Sequence, residues 1–155
     1  MNYRPLLRFA FLLSLFASIS GNYNAAKAQG PEGKSFGFGI ILPDPLGVTV
    51  KAWTSPVNAV VADFGGYSGS LRLQFDYLWH FDAFHSRIVE MYAGPGLGVA
   101  FNTDNAGVGI RGIFGINVIP IATPVEIFFE LGPLIELSPE VGASLDVAVG
   151  IRFYP

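Results

Sequence analysis

Between Ser70 and Phe81 the chain reads SLRLQFDYLWHF, and from Leu71 onward every odd position is apolar or aromatic: Leu71, Leu73, Phe75, Tyr77, Trp79 and Phe81. The even positions are polar (Arg72, Gln74, Asp76, His80), with Leu78 the one exception. A period of two sends the two sets to opposite faces of a β-strand. A run of twelve residues is longer than most globular strands and close to what a tilted strand needs to cross a bilayer core.

Composition narrows the choice. Only 14% of the chain is charged and its mean hydropathy is +0.46, whereas a soluble surface carries roughly 25–35% charged residues. Such an inventory cannot cover a water-facing exterior without large apolar patches. Past the N-terminal region no apolar run reaches the roughly 20 residues of a membrane-spanning helix. Apart from helices, the closed β-barrel is the structure that satisfies every backbone polar group in lipid.

The first 28 residues read as a Sec-type signal peptide. Arg4 and Arg8 form a basic start, Phe9 to Ser20 is an apolar run, and Ala26-Lys27-Ala28 precedes an expected cleavage at Gln29. Of the 155 residues, 127 would remain, with 29–34 as a short solvated lead-in and 35–155 as one barrel domain. Three of the nine basic residues leave with the signal, so six face twelve acids and the net charge becomes −6. A basic face for nucleic acid is therefore not expected. With no cysteine, disulfides, lipoprotein attachment and thiol chemistry are excluded.

Eight alternating segments follow, bounded by turn formers: Ser35–Leu42, Leu46–Trp53, Asn58–Gly65, Ser70–Phe81, Arg87–Phe101, Ala106–Val118, Val125–Leu137 and Ala143–Tyr154. Pro43-Asp44-Pro45 and Thr54-Ser55-Pro56 close the first two. The expectation is an all-β, eight-stranded, antiparallel, up-and-down transmembrane barrel. A soluble lipocalin-like barrel holding an apolar ligand also has one apolar and one polar face. Here the polar face is crowded with glycine, which fits the narrow lumen of an eight-stranded barrel and suits a hydrated exterior poorly.

With the N-terminus on the periplasmic side, Phe36, Trp53, Trp79, Phe81, Phe153 and Tyr154 form one aromatic girdle, and Phe64, Tyr67 and Phe101 the other. The lumen receives Lys51, Arg72, Arg111 and Arg152 with Asp63, Asp76, Glu90, Glu126, Glu130, Glu136 and Asp146. Buried charges must be paired to be tolerated, so a salt-bridge network that plugs the barrel and leaves no open pore is expected. Acids outnumber bases in that set.

MYAGPGLGVAF (Met91 to Phe101), GIRGIFGINVIP (Gly109 to Pro120) and PVEIFFELGPLIEL (Pro124 to Leu137) resemble small bacterial outer-membrane barrels of the OmpX and OmpA-transmembrane-domain type. The resemblance runs over essentially the whole of the chain after the signal. It implies a monomer in the outer membrane of a Gram-negative cell, with membrane lipid and the barrel-assembly machinery as partners, no cofactor, no metal and a structural or interaction role. Gly150, Phe153 and Tyr154 resemble the family's C-terminal assembly signal, although the chain ends on Pro155. Connections on the outer side are short, unlike those of members that act as adhesins.

Some barrels of this size are similar to lipid-modifying acyltransferases or deacylases that set His beside Ser and a carboxylate. The two histidines, His80 and His85, lie near Asp82 and Ser86. That places them on the periplasmic rim, away from the outer leaflet where such enzymes work. Gly94-Pro-Gly-Leu-Gly98 opens no helix and is not a dinucleotide fingerprint, and Asn102-Thr-Asp-Asn105 reads as a polar turn.

Overall fold

A computed structural model describes residues 30–67, 69–102, 106–138 and 141–155, with the backbone alone at Tyr67. The expected signal peptide, Gln29 and the Thr103-Asp104-Asn105 part of the polar turn lie outside the described residues. A short 3-10 turn, Pro31–Gly33, precedes eight strands: β1 (Phe36–Pro43), β2 (Leu46–Trp53), β3 (Asn58–Tyr67), β4 (Ser70–Phe81), β5 (Val89–Phe101), β6 (Ala106–Val118), β7 (Val125–Ser138) and β8 (Gly142–Phe153). Each pairs antiparallel with its neighbour in sequence, and β8 returns to β1, closing the barrel.

Several strand ends differ by a residue or two from the sequence reading, each for a local reason. Pro43 joins the ladder opposite Ala148 as a strand's last residue, where a missing donor costs little. β3 continues through Gly65 and Gly66, paired with Arg72 and Leu71, to a tight hairpin. There Gly69 takes φ +83°, a left-handed conformation open to glycine. In β7 a bulge lets Val108 face Ser138 while Gly109 faces Glu136, so Leu137 is the extra residue.

The strands are unequal. β1 and β2 have eight residues, β5 and β6 thirteen and β7 fourteen. At about 3.3 Å per residue and a tilt near 40°, the tall side spans roughly 30 Å along the axis and the short side roughly 20 Å. The β2–β3, β4–β5 and β6–β7 turns lie with the described chain ends at what we term the terminal end; the other four connections lie at the far end.

Alternation sorts the side chains as in β4, where Arg72, Gln74, Asp76, Leu78 and His80 are buried while Leu71, Phe75, Trp79 and Phe81 are exposed. Apolar residues face outward around the whole barrel, with Ile40, Phe75, Leu97, Ile110, Ile127 and Val149 each between 39% and 55% exposed. That is the reverse of a lipocalin-like carrier, whose apolar face looks inward.

Several glycines on the inner face stand where large side chains from neighbouring strands need room. A Cβ at Gly37 would come within 2.7 Å of the Tyr154 ring, and one at Gly132 within 2.7 Å of the Arg111 guanidinium. Gly115 gives way to the Tyr92 ring and Gly150 to Phe128 in the same manner. The interior is therefore partly apolar, with Val61, Leu78, Tyr92 and Ile113 in one cluster and Ile41, Phe128 and Ala148 in another.

Candidate functional site

The inner wall brings most of the ionisable residues together. Lys51, Asp63, Arg72, Asp76, Arg111, Glu126, Glu130, Asp146 and Arg152 are all at most 5% exposed. They are held by alternate positions of β2 to β4 and β6 to β8, so a charge carried by one strand is met by charges from strands across the lumen.

Toward the terminal end, Glu126 on β7 is the hub. One of its oxygens accepts from Lys51 Nζ at 2.9 Å and from Arg152 Nη1 at 3.0 Å, and the other accepts from the Tyr154 hydroxyl. Arg152 also donates to Thr49 Oγ1, from Nε at 3.0 Å and from Nη2 at 2.9 Å. Its guanidinium lies over the Phe128 ring, 3.7 Å from the centroid. Lys51 Nζ also donates to His80 Nε2 at 2.9 Å and sits 4.5 Å from the Trp53 ring centroid.

Nearer mid-barrel the balance reverses, with Arg72 and Arg111 facing Asp63, Asp76, Glu130 and Asp146. Arg72 Nη1 reaches Asp146 at 2.9 Å and Asp44, in the β1–β2 turn, at 3.4 Å; Gln74 Nε2 donates to Asp146 at 3.0 Å. Arg111 lies between three carboxylates at longer range: Asp76 at 3.4 Å, Asp146 at 3.7 Å and Glu130 at 4.0 Å. Among the described residues, neither oxygen of Asp76, nor Glu130 Oε1, nor Arg111 Nε or Nη1 makes a hydrogen bond of good geometry. The other Glu130 oxygen accepts from the Tyr92 hydroxyl at 2.9 Å.

Two groups beyond the strands feel these clusters. Burial, and then the charge of Asp146, push the Asp44 carboxyl up, while Arg72 and Arg111 oppose the shift. Burial and the neighbouring Glu126 carboxylate push the Tyr154 phenol up as well.

Four of the sequence expectations need correction. Trp53 and Tyr154 do not join an aromatic girdle. Both are buried, at 5% and 0% exposure, and Trp53 Nε1 donates to the Tyr154 hydroxyl at 3.2 Å. The reason is parity, since Trp53 shares its face with Thr49 and Lys51, and Tyr154 shares its face with Arg152. Glu136 is exposed rather than in the lumen, because β7 rises past the neighbouring wall beyond Leu134, its last buried residue. The lead-in is not fully solvated: Gly30 and Pro31 are buried where Trp53 presents an apolar seat, and Lys34 Nζ donates to the Tyr154 carbonyl at 3.1 Å.

Glu90 is half-buried at the terminal mouth. Phe36, Trp79, Phe81 and Phe153 stand outward at the terminal end, and Phe64 and Phe101 outward toward the far end. The Tyr67 side chain is outside the described residues. The hydrolytic constellation is not assembled as drawn from sequence: His80 is a lumen residue engaged with Lys51, and the Ser86 hydroxyl accepts from the backbone of Ile88 and Val89. His85 is exposed in the β4–β5 turn. Sequence reasoning missed His80, Thr49, Gln74 and Tyr92 as partners of the charges, although the same two-residue period that placed Lys51 and Asp76 inward marks them.

No protein-family model matches the sequence, and no curated protein matches it. Among solved structures the chain is similar to the N-terminal β-barrel domain of Pseudomonas aeruginosa OprF. The similarity covers 77% of this chain and 94% of that domain, with a TM-score of 0.57 and 15% sequence identity. This chain has the eight-stranded outer-membrane barrel fold. At that identity the likeness shows the fold, and the lumen chemistry described above stands on this chain's own residues.

Proposed function

We propose that the protein is an outer-membrane barrel with a structural or interaction role, exported by its signal peptide and inserted as a monomer. The barrel-assembly machinery and outer-membrane lipid are its partners in this reading, which uses no cofactor and no nucleic acid. One observation carries it: the barrel turns bulky apolar side chains outward and buries its charges within. Phe75 is 50% exposed while Asp76, next to it along β4, is 4% exposed and Arg72, three residues before it, is 5% exposed. An outward apolar face belongs in acyl chains, where it costs nothing, rather than in water, where each such group carries a transfer penalty.

In the same reading the lumen is closed. Eight strands enclose a space that side chains fill, and here Trp53, Tyr154, Tyr92, Phe128 and the charge clusters occupy it. Water and ions find no continuous path, and the charges serve to fix the strands to one another across the axis.

Fractionation tests the location: the protein should leave the outer membrane with detergent only, and should migrate differently on gels before and after boiling. Recovery of the native protein from the aqueous fraction would refute it. Planar-bilayer recording tests the plug separately, and a steady conductance on the nanosiemens scale would overturn it.

A further inference from the structure

Gly112 differs from most of the glycines that line the lumen. A side chain at Gly96, Gly115, Gly132 or Gly150 would run into packed neighbours, whereas a Cβ at Gly112 would meet only Pro133 Cγ, at 3.8 Å. Its parity is that of Ile110 and Phe114, so it faces outward with them. Pro95 pairs with it on β5 and Pro133 flanks it on β7.

Around the two prolines the ladders skip. The β4–β5 pairing runs to Asp76↔Gly96 and resumes at Trp79↔Ala93, and the β6–β7 pairing runs from Arg111↔Leu134 to Phe114↔Leu131. Proline has no N–H to give a neighbouring strand. Three adjacent outward positions therefore hold two flat rings and no side chain. The result is a depression of about 800 Å³ in the outer wall, rimmed by Phe75, Leu97, Ile110 and Ile135.

We infer that this depression seats an acyl chain of a membrane phospholipid, a role that rests on the membrane reading above. The recess continues the apolar exterior and is concave. A slender, flexible hydrocarbon can reach its floor. The convex wall of a second barrel would touch the rim and leave the floor without partner atoms, forfeiting the dispersion contacts that make such a site bind. The rim itself is apolar, since Phe75, Leu97, Ile110 and Ile135 carry no hydrogen-bonding side chain. No steric conflict with the barrel explains a glycine at 112; access for a ligand does.

Native mass spectrometry of the protein released from bilayers of palmitoyl-oleoyl phosphatidylethanolamine provides the test. The wild type should retain one phospholipid at collision energies that strip the remaining lipid. Gly112→Leu, whose side chain fills the floor, should lower the retained fraction by about tenfold, the loss expected for a couple of methylenes' worth of burial. Val147→Leu, elsewhere on the outer wall, should leave it unchanged. Should Gly112→Leu fail to insert, the wild type still decides the matter with a phospholipid spin-labelled at mid-chain. Line broadening of the Gly112, Ile110 and Ile135 amides should then exceed that of Ile127 and Val147. Equal retention by the two variants, or broadening uniform around the barrel, overturns the seat and leaves the membrane reading intact; native protein in the aqueous fraction overturns both.

Discussion

The two charge clusters of the lumen are built from the same residue types and solve burial in different ways. At the terminal end, Lys51 and Arg152 converge on Glu126 at 2.9 and 3.0 Å, and hydroxyls of Thr49 and Tyr154 complete the set. At mid-barrel, Arg111 serves three carboxylates at 3.4 to 4.0 Å and several of its partners' oxygens have no hydrogen bond. Short, directed contacts recover the desolvation cost of burying ions; longer Coulombic ones recover it partly. The first cluster is thus a rivet and the second a looser pool of negative charge. The aromatic surroundings favour the same division, because Trp53, Phe128 and Tyr92 offer ring faces to the terminal-end cations.

The largest effect should come from the rivet. Glu126→Gln leaves Lys51 and Arg152 buried without an anion, and urea unfolding in lipid vesicles should show a loss of about 3–5 kcal/mol. If Glu126→Gln proves no worse than Arg111→Met, the two clusters are energetically alike and the contrast fails. Arg111→Met should cost about 2–3 kcal/mol at pH 8.

Packing gives the next sharpening. Gly115→Ala drives a methyl into the Tyr92 ring, and overpacking of this kind costs about 1–3 kcal/mol; Gly112→Ala, on the open outer wall, should unfold at the wild-type urea concentration. Trp53→Phe removes the 3.2 Å hydrogen bond to Tyr154 while keeping an aromatic ring over Lys51, and should cost about 1 kcal/mol.

Asp44 supplies the smallest effect and its sign is fixed by the direction of its shift. Its carboxyl is raised from the usual 3.8 in the fold, so the folded state binds the proton more readily and loses stability as pH climbs above 3.8 toward the raised value. Asp44→Asn should abolish that slope while leaving the unfolding midpoint at pH 8 nearly unchanged, because the contact to Arg72 is long, at 3.4 Å, and Asp146 already holds Arg72 at 2.9 Å. A large drop at pH 8 would instead tie the β1–β2 turn into the mid-barrel cluster.

Much of the barrel was legible in the chain because its signal is a period of two repeated over long segments. Ser70–Phe81 alternates almost without fault, and the strand it predicts has the same bounds in the structure. Where the signal was read by residue type instead of by parity it misled. As aromatics near strand ends Trp53 and Tyr154 suggest a girdle, yet each follows a buried basic residue by two. Glu136 kept the inward parity of β7 but not its burial, since parity says which face a side chain takes and not how high the adjoining wall stands. The pairing of charges was beyond the sequence altogether. Glu126 and Lys51 are far apart in the chain, and only the closing of β8 onto β1 and the stagger of the strands bring them to the same depth.

By itself, then, the sequence determined the number of strands, their alternation and the outward turn of the apolar face, because each is a local consequence of side-chain order along an extended backbone. The tertiary structure decided which cation meets which carboxylate, which aromatics fill the lumen, and where two prolines and a glycine leave a hollow in the wall. Those depend on register and tilt, which are set when eight strands must close on one another at once.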